Sequence, residues 1–229
     1  MVTISETDRA RIADAVTKAE QTTSGEIVVV IADEVSEYRE VPLSWAAGAA
    51  LIAPALAVWL GVKPLALAKT AGEWIAAHVA ALDATIAWVI AAYAAVQALI
   101  FVGIYLLAAW KPVRRVLTPR FLKRERAHKE AMAQFLATGL DGSPDRTGVV
   151  IFAALADHSI EIVADALINA KVGKAPWDEA VRAMQSKFAA GAVAEGFEAG
   201  ISLCGAVLAL HFPRGEGDKN TLPDAPRII

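Results

Sequence analysis

Two long stretches without a charged residue limit what this chain can fold into. The first runs from Val41 to Val62, rich in Ala, Leu, Val and Ile, with Trp45 and Trp59 near its ends. The second runs from Ala84 to Trp110, with Trp88 and Trp110 near its two ends. Each exceeds the roughly 20 apolar residues a helix needs to cross a hydrocarbon core. Indole rings favour the headgroup region, so a tryptophan near each end suits a membrane span. The pattern predicts transmembrane helices over 41–62 and 84–110. They account for a mean hydropathy of +0.44, too positive for a purely soluble globule.

Pro54 lies inside the first stretch. In a bilayer neighbouring groups absorb the missing backbone bond, so a kink at most is expected. The small residues Ala46, Ala47, Gly48, Ala49 and Ala50 would let the two helices approach closely.

Flanking cations set the expected orientation. Lys111, Arg114, Arg115, Arg120, Lys123, Arg124 and Arg126 follow the second stretch, whereas the link at 63–83 offers only Lys63 and Lys69 against Glu73 and Asp83. The positive-inside rule then places both termini in the cytoplasm, in a multi-pass protein of the inner (plasma) membrane. The cluster is read chiefly as a topology signal, with recognition of anionic lipid as a second use. In the link, Leu65, Leu67, Trp74, Ile75, Val79 and Leu82 alternate with Lys69, Glu73 and His78, the pattern of an amphipathic helix in the outer interface.

The remaining composition removes several classes of function. A net charge of −3 gives no basic field for nucleic acid. The single cysteine, Cys204, forms no internal disulfide and has no zinc-binding companions, so it reads as a packed apolar residue. Met1 leads into polar Ser5-Glu6-Thr7-Asp8, without the apolar core of a signal peptide.

The segments outside the two stretches, 1–40 and 111–212, read as one α/β unit. Ser5 and Asp8 open a helix as a capping box does, and Ile12, Ala15, Val16 and Ala19 recur at helical spacing to about Gln21. Glu26 to Ile31 is a β-branched run buried on both faces, which needs partners from beyond the hairpin. A charged helix over about 121–138 pairs Glu125 with Lys129. Thr147 to Leu155 is a second buried strand, Asp157-His158 a tight turn, and Ser159 to Ala164 a strand with a wetter face. Asp165 caps a short helix that ends at Gly173. Pro176 opens another, with Trp177, Val181, Met184 and Phe188 on one face. The last runs from about Val193 to His211, where Gly196 and Gly200 permit close packing. The tail, 213–229, is expected to be flexible, with docking only at Ile228-Ile229.

Ser24-Gly25-Glu26-Ile27-Val28-Val29-Val30 resembles the opening strand of the TPM domain, found in thylakoid-lumen phosphatase-like and photosystem-repair proteins. Thr147 to Phe152, the hairpin around Asp157, and Glu161-Ile162-Val163-Ala164-Asp165 look like its next two strands. Ala170-Lys171-Val172-Gly173 and Asn220-Thr221-Leu222-Pro223-Asp224 are similar to a bacterial membrane branch of that family. The resemblance implies a small mixed sheet flanked by helices, weak acid-phosphatase activity, and a divalent cation such as calcium or magnesium on acidic residues. A membrane hairpin inside the domain departs from the usual anchor at one end.

Phosphate-ester hydrolysis needs a nucleophile or activated water and groups that stabilise developing charge. The chain has no P-loop, GxSxG, HExxH or EF-hand loop. The candidate metal ligands are Glu26, Asp145, Asp157, Glu161 and Asp165, and the candidate catalytic groups Asp157, Asp165 and His158. Carboxylates at strand ends suit a hard cation. Each also has a structural use, as a turn residue, a helix cap or an edge-strand charge. The spans hold no charge for a conduction path, which disfavours a channel. Two readings stand: a membrane-anchored module that docks on another membrane protein or on itself, and a weak metal-assisted phosphomonoesterase.

Overall fold

A computed structural model describes residues 4–61, 82–140, 147–215 and 222–229, with residues 82–89 described by their backbone alone. Asp145 and residues 63–81 of the predicted outer link lie outside these residues, while Leu82 and Asp83, read as the end of that link, belong to a helix. The chain divides into two compact units, one made of residues 1–37 with 120–229 and the other of residues 38–119.

The first unit holds β1 (Glu26–Ala32), β2 (Gly148–Ala154), β3 (Ser159–Ala164) and β4 (Arg227–Ile228) in one sheet of order β3-β2-β1-β4. β1 runs parallel to β2 and to β4, while β2 and β3 form an antiparallel hairpin. The sheet is therefore mixed, and its two long parallel strands come from opposite sides of the hairpin sequence. Around it lie α1 (Glu6–Glu20), α5 (Arg120–Ala137), α6 (Ala166–Val172), α7 (Ala175–Ala189) and α8 (Val193–His211).

Burial follows the period of two along each strand. Ile27, Val29, Ile31, Val149, Ile151 and Ala153 pack with Ile12 and Val16 of α1, Met184 of α7, and Phe197, Ile201 and Leu208 of α8. Val28, Val30, Val150 and Phe152 face the opposite way, onto Ala127, Ala131 and Phe135 of α5. This two-sided cover is why the strands read as continuous apolar runs.

The local signals in the sequence mostly do what their chemistry suggests. Ser5 Oγ accepts from Asp8 N at 3.0 Å and starts α1. Gly173, at φ 73° and ψ −169°, ends α6 in a positive-φ conformation essentially open to glycine alone. A Cβ on Gly200 would strike the Met184 side chain, so α7 and α8 approach more closely than any larger residue permits. Cys204 is fully buried, and burial pushes its thiol up to about 12. At the end of the tail the docking expected of Ile228-Ile229 is made, and it takes the form of a fourth strand. Arg227 and Ile228 pair with Val30 and Ile31, and Ile229 N donates to Ile31 O at 3.0 Å, covering the free edge of β1.

The second unit holds α2 (Glu40–Trp59), α3 (Leu82–Ala109) and the short α4 (Lys111–Leu117). α2 and α3 are each long and apolar enough to cross a membrane. α8 meets the same measure of length and composition, but 44% of it is buried, and its apolar face belongs to the core of the first unit. The apolar stretch of α3 is 0% buried. Leu51, Ile52, Trp59, Ile90, Leu99 and Leu106 all stand exposed. The close approach expected of the small residues is made by Ala46 and Ala50, which are buried, and not by Gly48, where a Cβ would meet nothing.

Candidate functional site

In an open α/β sheet, ligands favour the carboxyl ends of parallel strands, where neighbouring strands connect in opposite directions. β1 occupies that position here, with β2 on one side and β4 on the other. Its last residue leads directly into Asp33, and β2 leads into the Leu155–His158 turn. The backbone locks these two exits together. Leu155 N donates to Ala32 O at 3.0 Å, and Ala156 N to Asp33 O at 2.9 Å.

Asp157 is buried in this corner. Its Oδ2 accepts from Val35 N at 2.9 Å, and its Oδ1 lies 3.8 Å from Lys123 Nζ of α5. Asp33 Oδ1 is also buried and has no hydrogen-bond partner among the described residues. The corner thus pairs the Asp157 carboxylate with the Lys123 ammonium, and the backbone of Asp33 lies in the same turn. His158 follows Asp157 but is exposed, with φ 51° and its N donating to Leu155 O at 3.3 Å. It serves the turn geometry.

The other predicted ligands lie elsewhere. Glu26 pairs in register with Gly148, at the start of β1. Asp165 N donates to Gly148 O at 3.0 Å, and its Oδ1 accepts from Leu167 N at 2.9 Å, capping α6. Both are a full seven-residue strand from Asp157, roughly 20 Å at about 3.3 Å per residue. Glu161 sits on the face of β3 that α5 covers, with Oε1 3.6 Å from Arg124 Nε and Oε2 3.5 Å from His128 Nδ1. That side chain is only 15% exposed, so it is not on a wet face as expected of an edge-strand charge. The convergence of Glu26, Asp157, Glu161 and Asp165 on one ion is corrected by this geometry. Among the described residues no three His, Cys, Asp or Glu side chains are placed to hold a metal.

Two groups escaped the sequence reading. Asp33 had a legible signal, its place as the first residue after a buried strand. Glu20 had one too, since it extends the buried stripe of Ile12 and Val16 by one turn of α1. Its Oε1 accepts from Ile27 N at 2.8 Å. Burial above all, then nearby Glu26 and Asp224, pushes its carboxyl up to about 8.

The family comparison decides which part of this scaffold has known counterparts. Residues 112–207 match the TPM domain. The match takes in α5, the β2–β3 hairpin with Asp157, and α6, α7 and most of α8. It leaves out α1 and also β1 and β4, the two strands that complete the same sheet. The BA42 protein of the psychrophilic bacterium Bizionia argentinensis, solved by NMR, has a similar fold. It aligns over 100% of both chains with a TM-score of 0.55 and 20% identity. No curated protein matches the sequence.

Proposed function

We propose that this protein is a membrane-anchored interaction module. Its α2–α3 hairpin is seated in the inner (plasma) membrane, and its TPM-like α/β unit and both termini lie in the cytoplasm. The observation that carries the anchor is the bare apolar surface of α3, none of whose span-length stretch is buried. Leaving that surface in water would be unfavourable by about 25 cal/mol per Å². The excess of cations after α3 supports the orientation.

The interaction reading follows from how the predicted catalytic carboxylates are used. Asp165 caps a helix, Glu161 pairs with α5, and Asp157 fastens Val35 to the hairpin turn. These are structural tasks, distributed over both ends and one face of the sheet. A docking domain needs such a rigid frame and no nucleophile. The partner would be another membrane protein or a second copy of this chain.

Weak metal-assisted phosphomonoester hydrolysis is the second reading, and Asp33 is the observation in its favour. Its Oδ1 is buried without a hydrogen-bond partner among the described residues, and its backbone is bonded to the turn that carries Asp157, which suits a hard divalent cation held by carboxylate and water. The ion would supply charge to polarise a phosphoryl oxygen. Asp33 and Asp157 would hold it, and Lys123 would compete for Asp157. The two readings separate on purified full-length protein, assayed with a generic phosphomonoester at increasing calcium or magnesium. Turnover lost in Asp33→Asn would establish the hydrolase. No turnover at any metal concentration leaves the docking module.

A further inference from the structure

α4 is a separate helix and not the frayed end of α3. Trp110 breaks the path with an extended ψ of 124°, a proline sits in the first turn, and Thr118 at ψ 119° ends it. At 100° per residue, Lys111, Arg114 and Arg115 fall on one arc, and Pro112, Val113, Val116 and Leu117 on the other. Val116 is 85% exposed, and Trp110, just before the helix, is 65% exposed. A short helix with cations on one side and bare apolar groups on the other is suited to lie in a membrane interface.

Its position is fixed. Trp45 Nε1, from the first turns of α2, donates to Leu117 O at 3.2 Å, tying the last turn of α4 to the start of the hairpin. α4 is thereby held at the end of the hairpin marked by Trp45 and Trp110, the level that indole rings prefer in a bilayer. Arg115 is engaged within the chain, and Lys111 and Arg114 supply the charge of that arc.

We infer that α4 is an anionic-phospholipid site: Val116 and Trp110 enter the acyl boundary while Lys111 and Arg114 hold the phosphates of acidic headgroups in the cytoplasmic leaflet. This rests on the reading of α2 and α3 as membrane spans. The site makes the protein sensitive to the acidic-lipid content of that leaflet. Attraction of a juxtamembrane cation to an anionic surface is about 1 kcal/mol, or roughly fivefold in binding, per residue.

Native mass spectrometry of the full-length protein in detergent, titrated separately with phosphatidylglycerol and phosphatidylcholine, tests this. Wild type should retain phosphatidylglycerol in preference. K111Q/R114Q should weaken that retention between about fivefold and twenty-five-fold without changing phosphatidylcholine binding or the melting temperature. The surface variant R182Q/K187Q on α7 should match wild type. Equal retention of both lipids by wild type, or an unchanged preference in K111Q/R114Q, overturns the inference. Incorporation of the protein into liposomes and its resistance to alkaline carbonate, measured alongside, separate the two claims. A protein that inserts but shows no headgroup preference loses only the α4 site, whereas one that fails to insert loses the anchor as well.

Discussion

Gln97 Nε2 of α3 donates to the Ala50 carbonyl of α2 at 3.4 Å. In an α-helix that carbonyl would accept from the backbone N–H four residues on, and the residue four on is Pro54, which has none. Gln97 thus reaches across the hairpin to the group that the proline leaves without its helical partner. Tyr93 Oη lies 3.3 Å from the same amide nitrogen, one turn earlier on α3. On the proposed membrane reading of the hairpin, a backbone carbonyl in hydrocarbon needs such a partner, so Pro54 and Gln97 act as one device.

Replacing Gln97 by Leu should therefore destabilise the hairpin by about 0.6 kcal/mol, and by no more than about 1.7 kcal/mol. In a Pro54→Ala background, where Ala50 O regains its helical donor, the same replacement should cost less. A double-mutant cycle on thermal unfolding in detergent measures the coupling. Equal costs in both backgrounds would show that the two residues act separately.

Glu20 makes stability fall as pH rises. Its carboxyl titrates near 8 in the folded chain, because it is buried and faces Glu26 and Asp224, with Arg214 as the opposing charge. In the unfolded chain it titrates near the ordinary 4.5. Between these values the folded state holds the proton and the unfolded state does not, so stability is full below about 4.5 and declines up to about 8. Glu20→Gln should flatten that part of the melting-temperature profile and raise the melting temperature at pH 8. A profile that stays as steep would show that Glu20 is not its source.

The glycines separate packing from mere composition. Gly200→Ala would drive a methyl group into the Met184 side chain, an overpacking that costs about 1–3 kcal/mol. Gly48→Ala meets nothing within 4 Å and should lie within about 0.5 kcal/mol of wild type. Differential scanning calorimetry of both variants in one detergent makes the comparison.

Asp157→Ala leaves the part-buried Val35 amide without this acceptor and removes the carboxylate 3.8 Å from Lys123. A loss of about 1–3 kcal/mol is expected, whether or not the site has any activity. Hydrogen exchange at Val35 should rise in that variant. If protection there is unchanged, the corner is held by something else.

The sequence was most readable where one physical rule dominated. The charge-free stretches, the capping box at Ser5, the Asp165 cap and the final helix at Val193–His211 all depend on local chemistry, and the structure places them close to where they were expected. The four-stranded order was not legible, because two residues at Arg227–Ile228 carry no strand pattern and earn their place only by covering the edge of β1. The candidate ligands failed for a related reason. Spacing along the chain does not tell which end of a strand a carboxylate occupies once β2 and β3 turn back on each other. Glu26 and Asp165 went to one end and Asp157 to the other. Val35 and Asp157 meet in that second corner from segments separated by the whole hairpin, a juxtaposition that only the fold creates.

In the proposed arrangement the hairpin crosses a membrane and both flanks lie on one side. Cysteine labelling in intact cells tests that most directly, in a Cys204→Ala background so that each variant carries one thiol. Leu60→Cys, at the far end of α2, should react with a membrane-impermeant maleimide added outside, and Glu179→Cys on α7 only after the cells are opened. Labelling of Glu179→Cys in intact cells, or protection of Leu60→Cys until lysis, would contradict it.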